Sequence, residues 1–517
     1  ISPDGKWVVF SVNETSYNEK EQVNDIWIAA VDRSTAPRRL TTNKAGESAY
    51  AFSPDGGKLA FVAKRDGEEE SQIYLLDLKG GGEAQKFTSS LSGASNPRWR
   101  PDGKAILYGS SVYPGCFVDS LQKKAAEEKK NQKYKARVYD GFPIRDWDKW
   151  RDEKQSHLFV QHIDSTRAIN IFAISKITDS PGFNLGGANW AGNDDIVFTA
   201  TIDAHTAAFQ YTTSKLHSLN LKTGAVKMIE TGFTDVSNAQ LTDDGRYLFC
   251  LVSNNDYSVY QLPKLVRYNW PSVTNPVFFT KELDRPVNQY VLESNNVWAS
   301  IEDAGRDYIY KWSVNDAKGG RWDKAQKGCL SQLSVKNGVV TASYESAVAP
   351  PEIVTFTKDG MLELISNFNS AKLEKLDLND VETFWTKTSR GKSIRSMLVK
   401  PAHFDPAKKY PLFVLMHGGP SIAYKEAFSY RWNYHALAGE EYVLVLTDYT
   451  GSTGYGEKFS KDIQYDPFKG PATEIQEAAA DAIKRFAFID GTRQAAGGAS
   501  YGGHLTNWLQ GTTSHYK

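Results

Sequence analysis

The chain is poor in several things, and each shortage excludes a class of protein. Three cysteines in 517 residues cannot build a disulfide framework and leave at least one thiol unpaired. There are only 4 methionines. Lys+Arg and Asp+Glu are both 61, so the formal charge is zero, which argues against the broad basic face that nucleic acid requires. No stretch approaches the ~20 consecutive apolar residues of a membrane span. HExxH, CxxC pairs and an EF-hand loop are all missing, so neither a metal nor another cofactor is expected. Hydrophobic residues are 40% and charged residues 24%, ordinary for a globular protein. Length alone suggests about three domains. Aromatics, by contrast, are abundant: 13 Trp, 26 Tyr and 25 Phe.

A repeat organises the first two thirds. Ser2-Pro3-Asp4-Gly5, Ser53-Pro54-Asp55-Gly56, Arg100-Pro101-Asp102-Gly103 and Thr242-Asp243-Asp244-Gly245 each precede an apolar run. In such a tetrad proline sets φ, aspartate bonds its own backbone and glycine takes φ > 0. Weaker copies lie at Trp190–Asp194, Ser294–Asn296 and Lys336–Gly338. The spacing is about 50 residues with one longer gap, too short for sandwich domains of ~100 residues. Counting the weaker copies there are seven repeats, and short aromatic-rich strands at this period predict the four-stranded blades of a β-propeller over residues 1–365, its aromatics packed between the sheets. The longer gap holds an insertion at about 115–155. It contains a polar helix around Leu121–Lys130 and the mixed stretch Arg145-Asp146-Trp147-Asp148-Lys149-Trp150, read either as a substrate-contacting surface or as a salt-bridged blade edge.

The pattern changes over residues 365–380. Tyr410–His417 and Tyr442–Asp448 are nearly continuous apolar runs, as expected of strands buried on both faces. Ile475, Ala479, Ala482, Ile483 and Phe486 recur at helical spacing. Residues 366–517 are thus expected to form a parallel α/β sheet of doubly wound type.

The chemistry lies near the end of the chain. Gly498-Ala499-Ser500-Tyr501-Gly502 matches G-x-S-x-G, in which small residues flank a sharp strand-to-helix turn that projects the serine hydroxyl. Gly418, in His417-Gly418-Gly419-Pro420, and Tyr501 are the expected backbone donors to a developing oxyanion. His417 and Gly419 are expected to shape that loop, as Gly498 and Gly502 shape the elbow. Asp448–Gly456 resembles a phosphate loop but lacks GK[ST] and is read as an active-site loop.

Together these motifs resemble the prolyl oligopeptidase family of serine peptidases, on its dipeptidyl peptidase and acylaminoacyl peptidase side. The resemblance implies an all-β seven-bladed propeller restricting access to the site of an α/β-hydrolase domain. It implies acyl transfer through Ser500 and peptide substrates with free or blocked N-termini, cleaved to release short N-terminal units. It also implies a periplasmic or secreted setting. Neither a nucleic acid nor a membrane partner is implied, and oligomeric state is left open. A carboxylate must hold a free substrate amine; Asp146, Asp148, Asp152 and Glu153 are candidates by location. In this fold an Asp and then a His follow the serine. Only 17 residues follow Ser500, without Asp or Glu, and their histidines are His504 and His515. The triad Asp and His are therefore expected to be absent from these residues, the chain to be cut at both ends and the fragment to be inactive. An esterase or lipase carrying a propeller, and a non-catalytic propeller binding protein, are the competing expectations.

Overall fold

The computed structural model describes residues 1–14, 23–134, 136–139, 141–254 and 260–517. Its first two thirds are antiparallel β. Five separate sheets, the first three-stranded and the rest four-stranded, take in residues Trp7–Phe278, and an eight-stranded sheet covers Val287–Leu364. That last sheet consists of two meanders joined by a single parallel pair, Asp307–Cys329, so seven meanders follow one another.

The tetrads at Ser53, Arg100 and Thr242 close the hairpin between the first two strands of a meander, and that at Ser2 leads into strand Trp7–Glu14; the Ser and Thr tetrads share one set of bonds. Asp4 accepts from Ser2 Oγ at 2.5 Å and from the Lys6 amide at 3.1 Å, while Ser2 Oγ accepts from the Trp7 amide. Asp55 with Ser53, and Asp244 with Thr242, repeat this. The hydroxyl donors hold these carboxyls below their usual range. Gly5, Gly56, Gly103 and Gly245 all sit at φ of 67–74°, where a side chain would be strained. At Asn337-Gly338 both residues have positive φ, the geometry of a tight two-residue hairpin. A feature the sequence did not announce is a bulge in six first strands, at Ser48/Ala51, Ser95/Arg98, Leu185/Ala188, Ser237/Gln240, Val287/Gln289 and Ser331/Ser334. Bulges add twist, which lets narrow sheets splay around a ring.

Aromatics fill the spaces between neighbouring sheets. Phe172 packs edge-on against Phe183 and Phe198, all buried. His157 is enclosed there with Phe117, Phe172 and Phe183. Its Nδ1 meets the Asn170 amide and its Nε2 has no partner among the described residues. Burial lowers its pKa to about 4.

Residues 382–498 form a five-stranded sheet in the spatial order Glu382–Lys387, Ser393–Val399, Val443–Asp448, Tyr410–Met416, Ile489–Gly498. The expectation of a parallel sheet needs correction. The first two strands run antiparallel and only the last three are parallel. The turn at Ser389-Arg390-Gly391 joins the first pair directly, and a connection of that length can only make a hairpin. The two continuous apolar runs are buried on both faces. Leu412, Val414, Val443 and Val445 pack on Ile475, Ala479, Leu505 and Leu509, while Leu415, Leu444 and Leu446 pack on Met397 and Tyr434. Each such side chain contributes about 1.5–3 kcal/mol.

The two parts meet through turns between the second and third strands of late meanders. Ala304 N–H donates to Gly454 O at 3.1 Å. Phe428 N–H donates to Glu345, and Leu262 N–H to Glu457. At the centre lies Arg395, buried to 2% exposure. Its guanidinium donates to Asp448 at 2.9 Å, to Tyr424 O at 3.0 Å and to Glu426 at 3.4 Å. Arg306 of the propeller reaches the same Glu426 at 2.8 Å. Burial alone would lower the Arg395 pKa; Asp448 beside it more than offsets this and the pKa is raised.

Two outcomes follow from these contacts. Arg395→Ala leaves buried Asp448 without its counter-charge and takes one of two guanidiniums from Glu426, and should cost about 3–5 kcal/mol, read from denaturant unfolding followed by Trp fluorescence; a loss below about 1 kcal/mol would contradict the pairing. His157 is neutral in the fold, whereas the unfolded chain takes up a proton below pH ~6.5. Its contribution is therefore present above that pH and is lost as pH falls from there through 4, by about 3 kcal/mol at most. His157→Phe should flatten the difference in urea midpoint between pH 7 and pH 4.5, and an unchanged difference would exclude this source.

Candidate active site

Ser500 stands at the N-terminal end of helix Tyr501–Thr512, immediately after strand Ile489–Gly498. Its backbone, at φ 56° and ψ −121°, is costly for a residue bearing a side chain and persists only where its surroundings enforce it. Two glycines do so. A Cβ on Gly498 would come within 2.6 Å of Met416 O, and one on Gly502 within 2.2 Å of the same atom. The strand Tyr410–Met416 thus presses on the elbow and turns Ser500 outward, where it is exposed.

The loop after that strand lies against the serine. A Cβ on Gly418 would be 3.1 Å from Ala499 O and 3.2 Å from Ser500 Cβ. Among the described residues the amides of Gly418, Gly419 and Tyr501 donate to no protein acceptor. Gly419 sits at φ 110°, which shapes the bend.

His417 points elsewhere. Its ring is buried, stacks on Tyr449 with centroids 4.3 Å apart and meets Tyr424 edge-on. Nδ1 lies 2.7 Å from Gly418 O and Nε2 lies 2.9 Å from Ser452 Oγ. Burial lowers its pKa. With both nitrogens occupied, His417 holds the loop and has no free nitrogen for Ser500. Tyr449, which the motifs did not single out, also donates its hydroxyl to His417 O at 2.6 Å. Its position directly after an apolar strand was the available signal.

The glycine-rich segment after Asp448 is a clamp. Gly451, Gly454 and Gly456 all have positive φ. Ser452 reaches His417, while Thr453 bonds Glu302 of the propeller. Thr450 is held by buried Glu474 through two bonds of 2.7 Å. Burial raises the Tyr501 pKa.

The remaining candidates are dispersed. The His504 ring lies against Phe468 and the His515 ring against Tyr516; the His504 amide donates to Ser500 O at 3.1 Å as a helix bond, and among the described residues neither imidazole bonds the Ser500 hydroxyl. Asp152 and Glu153 both face Lys129. Asp146 and Asp148 are exposed on the short hairpin of the insertion. No group of three metal-ligating side chains occurs among the described residues.

Comparison with known proteins agrees with the two-part architecture. Residues 1–129 match the TolB β-propeller domain, and residues 428–517 match the prolyl oligopeptidase family. The C-terminal segment is thus similar to the prolyl oligopeptidase family of serine peptidases. It is similar to dipeptidyl-peptidase 5 of Schizosaccharomyces pombe, at 26% identity over 99% of this chain and 74% of the relative. Dipeptidyl-peptidase 5 of Porphyromonas gingivalis is 23% identical over the same shares. Among solved structures, the Pyrococcus horikoshii acylaminoacyl peptidase superposes with a TM-score of 0.78 at 19% identity, over 99% of this chain and 75% of that one. An acylaminoacyl peptidase bound to Z-Gly-Gly-Phe-chloromethyl ketone gives 0.79, also at 19% identity. The family match includes the elbow and begins just after the His417 loop.

Two neighbouring glycines separate the elbow's requirement from helix propensity. Gly502→Ala should cost at least about 1–3 kcal/mol, as an overpacked site does. Gly503→Ala, whose Cβ would meet only Gly498 O at 3.6 Å, should be neutral or stabilising by up to about 1 kcal/mol. Equal thermal midpoints for the two variants would exclude the close approach at Gly502.

Proposed function

We propose that this chain carries the nucleophile and oxyanion site of a serine peptidase that cleaves short peptides and releases N-terminal dipeptides. The seven meanders are read as the blades of one propeller facing that site. The observation that carries the reading is Ser500 itself: a strained, exposed serine at a strand-to-helix turn, with unused backbone amides on both sides. Substrate would lie with its carbonyl carbon at Ser500 Oγ and its oxygen toward the amides of Tyr501 and Gly418. Negative charge developing on that oxygen gains the two N–H donors, while the hydroxyl proton passes to a base. The adduct collapses with cleavage of the C–N bond as the base returns that proton to the departing amine, and water then cleaves the acyl-enzyme. The dipeptidyl-peptidase 5 relatives support dipeptide release, and the acylaminoacyl peptidase likeness supports the fold.

Among the described residues no histidine ring hydrogen-bonds the Ser500 hydroxyl, and His417 has both nitrogens engaged. We infer that residues 1–517 by themselves turn peptides over at least about 10³-fold more slowly than an intact triad does. Turnover of a dipeptide p-nitroanilide by the 517-residue chain at intact-triad rates, lost in Ser500→Ala, would overturn that inference.

The peptidase reading is tested on a polypeptide containing this segment by comparing dipeptide p-nitroanilides with p-nitrophenyl esters. Anilide turnover that disappears in Ser500→Ala is expected. Ester turnover without anilide turnover would indicate an esterase, and no reaction of Ser500 with a fluorophosphonate would indicate a binding protein.

A further inference from the structure

The insertion of the third meander runs between strands Ala105–Val112 and Gln155–His162. It leaves by the turn between second and third strands. In the last three meanders that same turn touches the hydrolase domain, through Leu262, Ala304 and Glu345. The insertion therefore projects on the hydrolase side of the ring, away from the three meanders those contacts cover.

There it forms a groove of about 800 Å³, lined among others by Lys130, Tyr134, Arg137, Tyr139, Trp150 and Arg151, within the ~300–1,000 Å³ usual for ligand sites. One wall is aromatic: Tyr139 stacks on Trp150 with centroids 6.3 Å apart. The guanidiniums of Arg145 and Arg137 lie 5.3 and 5.8 Å from the Trp150 ring, which steadies them by cation–π attraction. Lys129 is occupied by Glu153 at 2.8 Å and Asp152 at 3.9 Å. Asp152 and Glu153 also line the groove, so among its described lining residues Lys130, Arg137 and Arg151 are the cations without a carboxylate partner, with Arg145 and Lys149 on the hairpin beside it against the unpaired Asp146 and Asp148. Trp147, at the hairpin tip, is 90% exposed. Cations held over aromatic faces around a concave wall suit a ligand carrying both carboxylates and apolar side chains.

We propose that this groove binds an extended acidic peptide segment, the part of a substrate remote from Ser500. The word substrate rests on the peptidase reading; the binding does not. The probe is a fluorescein-labelled ten-residue peptide of glutamate, leucine and glycine, with a twin carrying lysine for glutamate, read by fluorescence anisotropy on the 517-residue chain. The acidic peptide should bind and its twin should not. Lys130→Glu/Arg137→Glu should weaken binding about tenfold or more, and Trp150→Ala should weaken it without changing its salt dependence. All variants are checked for native circular dichroism. Raising salt past 0.15 M, where the screening length is about 8 Å, should also weaken it. Equal binding of the two peptides, no binding, or no effect of the charge reversal overturns the proposal. So does binding only to vesicles of anionic phospholipid, which would make the surface a membrane contact. Ser500→Ala should bind the peptide like the wild type. Peptide binding to the 517-residue chain together with an unreactive Ser500 in a longer polypeptide containing this segment thus removes only the peptidase reading, and a reactive Ser500 with no peptide bound removes only the groove.

Discussion

The burial of Arg395 with Asp448 and Glu426 is the constraint on which the rest depends. Removing a guanidinium from water is expensive, and it is tolerated only because carboxylates and a carbonyl meet it in the protein. Asp448 ends the central strand Val443–Asp448, and its other oxygen takes the Tyr424 amide at 2.8 Å. Glu426 takes Arg306 from the propeller. One cation therefore fixes the sheet, the loop beyond Pro420 and the neighbouring domain together. The close fit extends to Gly305, where any Cβ would lie 2.3 Å from the Arg395 guanidinium.

From that hub the order passes to the site by stacking. Tyr424 meets the His417 ring, His417 stacks on Tyr449, and Tyr449 approaches Tyr501 at 6.1 Å. Ser452 closes the arrangement from the glycine-rich segment, which itself rests on Glu302 through Thr453. The oxyanion loop is thus held from both sides by groups that do no chemistry. Lys425, flanked by Glu302 and Asp307 at 3.1 and 2.9 Å, ties the same segment to the propeller.

Much of this was legible in the sequence, and what was not has a physical reason. The tetrads were visible because their bonds are local, from Ser2 to Asp4 or Trp7. The elbow was visible because its glycines answer a steric demand within five residues. The buried strands were visible because both faces are apolar. The antiparallel start of the α/β sheet was missed because a strand's direction depends on partners distant in sequence. The Arg395 hub was missed for the same reason: it joins residues 306, 395, 426 and 448. The bulges at Ala49, Asn96, Asn238 and Gln332 carry non-glycine residues at positive φ, so composition gave no sign of them. The acids suggested for a substrate amine were chosen by neighbourhood alone, and two of them are engaged by Lys129.

The contrast between the two kinds of sheet also bears on how the chain acquires its structure. The propeller meanders pair strands close in sequence, so their closures span short loops except across the insertion of the third meander. The strand Tyr410–Met416 instead pairs with Ile489–Gly498 across three α-helices and another strand. Loop-closure entropy grows with such separations, and non-local pairing slows folding. The blades can therefore form while the central sheet is still searching for its register. Ser500, which gains its backbone geometry only from that last pairing, is then among the latest parts of the molecule to be set in place.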